Sequence, residues 1–156
     1  MNTIAKAYSR FATRRFPLPS EAQLDALERR IGVTFPEDFR HFILAFNGGY
    51  FKEPDITPVT EGCPLDGLTF LSGIGASHEE SELGRPFYLS LFDDNDPPKI
   101  VPIGRTALGG LIILVTESEG RGSIVLKQAF GGFFYLASGI NEFFGLLREP
   151  GSVEIN

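Results

Sequence analysis

Metal-binding and acid–base side chains stand closest together at His78-Glu79-Glu80. A histidine followed by glutamate opens the zinc-protease helix, where a second histidine four residues on shares the metal and the glutamate acts as base. Position 82 is Glu, so the second nitrogen ligand is missing and the motif fails. The other histidine, His41, lies off the apolar stripe of its helix and has no evident Ser or Cys partner. Cys63 is the single cysteine, which excludes an internal disulfide. One Cys and two His cannot build a tetrahedral zinc site of the usual kind. Cys63 reads as a small apolar filler.

The remaining candidates fail on spacing. Asp93, Asp94, Asn95 and Asp96 have the composition of a calcium loop, but the central Gly and distal bidentate Glu are missing and Pro97-Pro98 interrupts. Gly73-Ile74-Gly75 lacks the third glycine of a dinucleotide fingerprint. Residues 104–110 lack the Lys-Ser/Thr end of a phosphate loop, and there is no Gly-x-Ser-x-Gly elbow. Acidic residues are plentiful, and nothing in their spacing selects a catalytic pair. The expectation is a non-enzyme that uses no cofactor and no metal.

Charge is more informative than any motif. The chain of 156 residues carries net −6, unevenly distributed. Residues 1–52 are net +3, residues 53–98 net −9 and residues 99–156 net 0. That profile argues against a nucleic-acid binder, which needs clustered Lys and Arg to neutralise phosphates. An acidic middle instead steers basic partners towards it. Its candidate partner-binding residues are Glu79, Glu80, Glu82, Asp93, Asp94 and Asp96.

These residues need a scaffold, and the chain is long enough to build one domain, residues 1–156, with a real core. Fifteen Phe and no Trp make phenylalanine the aromatic part of that core. No apolar run approaches the ~20 residues of a membrane span, and the basic start lacks a secretory h-region. Ile4, Tyr8 and Phe11 recur at helical spacing there, so it reads as a first helix. A soluble, cytoplasmic protein is expected.

Ser20 with Gln23 forms a capping box ahead of Leu24, Leu27 and Ile31, and Gly32 suits a left-handed stop. Thr34 can cap the next helix, with Pro36 at its start and Glu37 and Asp38 at its positive end. Phe39, Phe42, Ile43 and Phe46 form its stripe, and Asn47-Gly48-Gly49 ends it. Residues 50–98 are loop-rich, with a strand at 68–71 and a helical turn at 79–83; residues 87–92 fit helix or strand equally. Residues 100–103 predict a strand whose Pro102 suggests an edge or a strand start. Leu111 to Thr116 predicts a central strand, residues 123–128 its hairpin partner and residues 133–136 another strand. Ser138 should cap a last helix carrying Ile140, Phe143, Phe144 and Leu147. The expected class is α+β: a mostly antiparallel sheet packed by N-terminal helices and one C-terminal helix.

The segment Leu27-Glu28-Arg29-Arg30-Ile31-Gly32-Val33-Thr34-Phe35-Pro36-Glu37-Asp38-Phe39, followed by Phe42 and Asn47-Gly48-Gly49, resembles the signature of the SUKH superfamily, to which a yeast cell-wall synthesis regulator and many bacterial proteins belong. Phe35 replaces the Leu more usual before the proline. Val101-Pro102-Ile103-Gly104, Gly109-Gly110 and Gly122-Ser123-Ile124-Val125 are similar to the family's sheet region. The resemblance implies an α+β domain without catalysis, and most often an intracellular immunity protein that neutralises a toxin such as a nuclease or deaminase. The alternative it implies is a regulatory scaffold docking a cellular partner, as in cell-wall synthesis control. The partner would be a protein, with a basic toxin domain suiting the acidic middle; the oligomeric state and sheet order stay open.

Overall fold

The computed structural model describes residues 2–76, 78–85 and 100–153. Three helices lead: α1 (Thr3–Phe11), α2 (Glu21–Ile31) and α3 (Glu37–Ala45). The short strand β1 (Ala12–Arg14) follows α1, and β2 (Gly49–Phe51) follows α3. Then come β3 (Asp55–Ile56), β4 (Asp66–Leu71), β5 (Ile100–Thr106), β6 (Leu111–Val115), β7 (Ile124–Lys127) and β8 (Phe133–Ala137). Helix α4 (Ile140–Phe144) and β9 (Leu147–Arg148) close the described chain. Every pairing between these strands of the described residues is antiparallel, in the order β1-β2-β4-β5-β6-β7-β8, and β3 bridges β4 to β9. This is the expected α+β class, and no helix among the described residues is long and apolar enough to cross a membrane.

The helices form where their stripes demand. Asn2 caps α1, whose Ile4, Ala7, Tyr8 and Phe11 are buried. The capping box at Ser20 and Gln23 is present, and Gly32 takes the left-handed stop at φ 72°. These faces meet one side of the sheet, where Val101, Ile103, Ile112, Leu114, Ile124, Leu126 and Leu136 join Phe39, Phe42 and Phe143 in one core. Tyr8, Phe42, Phe46, Phe51 and Phe144 stack around each other with centroids 4.7–6.4 Å apart. Phenylalanine does the work Trp would otherwise do. Leu111 and Ile113 point to the opposite face, with Ile100 and Val125 beside them.

The structure corrects four local expectations. Thr34 does not cap α3: Pro36 is the N-cap and makes no side-chain cap bond, while the Thr34 carbonyl accepts from Arg121 at 2.8 Å. Phe46 is only half-buried, as the C-cap of α3. Pro102 lies in a strand between β4 and β6, neither edge nor strand start. It is tolerated because β4 registers only with residues 104–106 and a register shift falls between Pro102 and Gly104. Ser138 does not cap the last helix either. Gly139 holds that position, Asp38 Oδ2 of α3 accepts from the Ile140 amide at 3.3 Å, and Leu147 leaves the helix to pair with Ile56 in β9. A Cβ on Gly139 would approach Asp38 at 2.6 Å, so glycine makes this cross-element cap possible.

Candidate partner-binding surface

The segment that carries the acidic turn is fastened along its length. Asn47, fully buried and left-handed at φ 55°, ends α3 and reaches across to it. Its Oδ1 accepts from the Ile74 amide at 2.8 Å, and its Nδ2 donates to the carbonyls of Ile74 at 2.8 Å and Pro17 at 2.7 Å. All its strong groups are satisfied, which a buried amide requires. The glycine after it is also compelled: a Cβ on Gly48 would collide with the backbone of Leu71 and Ser72. The "Asn-Gly stop" is therefore a joint between three segments as well as a helix terminator.

Further along, the Gly73 amide donates to the Ser81 carbonyl at 3.0 Å and the Leu83 amide to the Gly73 carbonyl at 2.9 Å. Leu83 is buried as a plug. Ser81 Oγ donates to the His78 carbonyl at 3.1 Å, and Tyr50 OH lies 3.3 Å from Ser81 Oγ. Between these ties the chain makes one 3₁₀ turn, Glu79–Ser81, where a helical turn was expected at 79–83.

On that turn Glu79 and Glu80 are exposed, and Glu79 Oε1 faces Arg85 Nη2 at 3.8 Å. Glu82 is half-buried and turned inward, its Oε2 accepting from the Gly75 amide at 2.9 Å. Beside it a cleft of about 300 Å³ runs between α2 and the segment, lined by Gln23, Leu27, Arg30, Ile74, Glu82 and Leu83. The turn thus presents two carboxylates next to a shallow groove. Asp93, Asp94 and Asp96 lie outside the described residues.

Groups that could do chemistry are engaged in structure. His78 Nε2 sits 3.3 Å from Arg14 Nη1; because a guanidinium only donates, this nitrogen accepts. Its ring meets Tyr50 edge-on and not the Ser81 hydroxyl, so no Ser–His dyad forms. His41 pairs with Glu37 one turn back on an exposed helix face. Burial, and then the Asp66 carboxylate, push the Cys63 thiol up, away from the thiolate a nucleophile needs.

Two carboxylates do converge on a cleft of about 380 Å³, Asp25 and Glu28, yet both bind Arg40. Burial works against the Arg40 charge, but the hydrogen bonds and charges of Asp25 and Glu28 outweigh it and hold the guanidinium up. Among the described residues no three His, Cys, Asp or Glu side chains gather as a metal site.

Glu28 shows what the first sequence block is for. Its Oε2 accepts from the Phe35 amide at 2.7 Å while Oε1 binds Arg40. One carboxylate so fixes the Gly32–Pro36 turn against both helices, and the block Leu27 to Phe39 encodes a helix–helix joint. That block lies inside the segment, residues 18–145, that matches the SMI1 / KNR4 family (SUKH-1). The chain belongs to this SUKH-1 family. No curated protein and no solved structure matches it. The SUKH-1 segment starts just before α2 and ends just after α4, so it contains the sheet from β2 to β8 and the acidic turn. Helix α1 and strand β1 precede it, and Tyr8 ties them in by donating to the Gly48 carbonyl at 2.8 Å.

One surface feature escaped the sequence reading. Phe130 is fully exposed at the turn between β7 and β8, and Phe133 and Tyr135 are half-exposed on β8. The available signal was compositional: residues 128–141 carry no charged side chain.

Proposed function

We propose that this SUKH-1 chain is a non-catalytic protein-binding domain, and specifically an intracellular immunity protein that occludes a basic toxin such as a nuclease or deaminase. The observation that carries this reading is the fastened 3₁₀ turn that holds Glu79 and Glu80 outward beside the α2 groove. A turn whose backbone is fixed before the encounter pays no further ordering cost on binding, and a basic cleft supplies the counter-charge to its carboxylates. Glu82 contributes by holding the turn. Asp93, Asp94 and Asp96 extend the acidic run in sequence and belong to the same proposed surface. The engagement of His78, Cys63, Asp25 and Glu28 in structural contacts supports the non-catalytic part.

The test is inhibition in a purified system. A toxin domain encoded beside this gene should lose its activity on addition of one equivalent of the chain, with a stable complex on gel filtration. Full toxin activity at a large excess of chain would reject the immunity reading.

A further inference from the structure

The last strand of the sheet carries a second surface of different chemistry. Phe130 projects fully into solvent from the β7–β8 turn, and Phe133 and Tyr135 continue the apolar patch along β8. Phe130 also forms one wall of a cleft of about 210 Å³, lined further by Pro64, Asp66, Leu108, Gln128 and Ala129. A cavity of roughly 150 Å³ already accommodates benzene, so this cleft admits one phenyl ring. A ring-sized knob and a ring-sized hole therefore sit side by side on one face.

We infer that a second copy of this chain occupies this face, with Phe130 of each copy seated in the cleft of the other. Knob and hole on the same patch are what a two-fold, isologous contact needs, since each surface must be complementary to itself. Charge favours a copy over a basic partner. Residues 128–141 carry no charge, and Lys127 Nζ, 5.5 Å from the Phe133 ring centre and donating to the Gln128 carbonyl at 2.8 Å, sets a cation at this face that a basic partner would meet. Asp66 lines the cleft with its Oδ1 turned to the backbone, accepting from the Gly67 amide at 2.8 Å and the Leu108 amide at 3.0 Å. An added β-strand fits less well than side-chain docking, because Thr60 Oγ1 already donates to the Tyr135 carbonyl at 2.8 Å. The acidic turn, tied to β2 through Tyr50, stands near the other end of the strand order and stays open in such a pair.

Sedimentation of the full chain at roughly 100 μM, where a complex of micromolar Kd is well populated, tests the pairing. Wild type should approach twice the monomer mass of 17.1 kDa, while Phe130→Ser and Leu108→Glu should each stay monomeric with unaltered thermal melting. A monomeric wild type, variants that pair as well as wild type, or mass growing beyond two copies would each overturn the inference.

Discussion

The Glu28 carboxylate, near the end of α2, accepts the Phe35 amide at 2.7 Å across the turn into α3. The same side chain holds Arg40, itself mostly shielded from solvent. Hydrogen bonds to charged groups contribute about 1.5–3 kcal/mol. Glu28→Ala should therefore lower the unfolding free energy by about 2–3 kcal/mol in urea titration. Glu28→Gln keeps an acceptor for Phe35 and should lose about half as much. Equal losses would mean that the neutral acceptor adds nothing and the joint rests on the charge alone, and no loss in Glu28→Gln would mean that the charge adds nothing.

Asn47 predicts a pH-dependent defect. In Asn47→Asp an oxygen replaces the Nδ2 that donates to the Pro17 and Ile74 carbonyls. Ionised, that oxygen faces two acceptors in a buried site, so its carboxyl pKa should rise in the folded state. The folded variant then binds a proton that the unfolded chain releases near pH 4, and its stability falls as pH rises from there. Melting temperature should drop from pH 4 to pH 7 in the variant far more than in wild type. Parallel curves would show that this side chain is not sealed from water.

Tyr8 reports on alkaline stability. Burial holds its hydroxyl well above the ordinary tyrosine value of 10.0, with Arg15 opposing weakly. The unfolded chain releases this proton near pH 10 while the folded protein keeps it, so the contribution is full below that pH and fades above it. At neutral pH Tyr8→Phe should cost about 1–2 kcal/mol, because the Gly48 carbonyl loses its donor. The gap between wild type and variant should narrow in denaturant titrations above about pH 10. A gap that stays constant would place the hydroxyl in contact with solvent.

The core ranks the phenylalanines. Phe42→Ala should cost about 3–5 kcal/mol, as expected for a fully packed ring. Phe46→Ala, half-buried at the helix end, should cost about 1–3 kcal/mol. Phe130→Ala should fall within about 0.5 kcal/mol of wild type, since the ring contributes to no core. The reverse order would move the core to the other face of the sheet.

Sequence pattern was sufficient wherever a stripe was long enough to repeat. Leu24, Leu27 and Ile31 with the Ser20 box located α2, and Leu111 to Thr116 located the strand β6 between two neighbours. It was insufficient for β1, β3 and β9, which are two or three residues long and owe their form to partners distant in sequence, as Leu147 does to Ile56. Caps supplied from afar were equally hidden: Asp38 serves the start of α4 across 102 positions. For the surface, net charge located the acidic turn but gave no sign that Glu82 faces the Gly75 amide. In the sequence Phe133 is one more strand residue, because periodicity does not say which face of an edge strand remains uncovered.

The most direct test of recognition through the acidic turn is calorimetric titration of a neighbouring toxin domain with wild type and with Glu79→Lys/Glu80→Lys, at low and physiological salt. Both side chains are exposed, so the variant should fold as wild type does. Reversing two charges at a contact that steers a basic partner should weaken binding by about tenfold or more at low salt, and less as salt rises. An affinity that is unchanged at low salt would contradict the account.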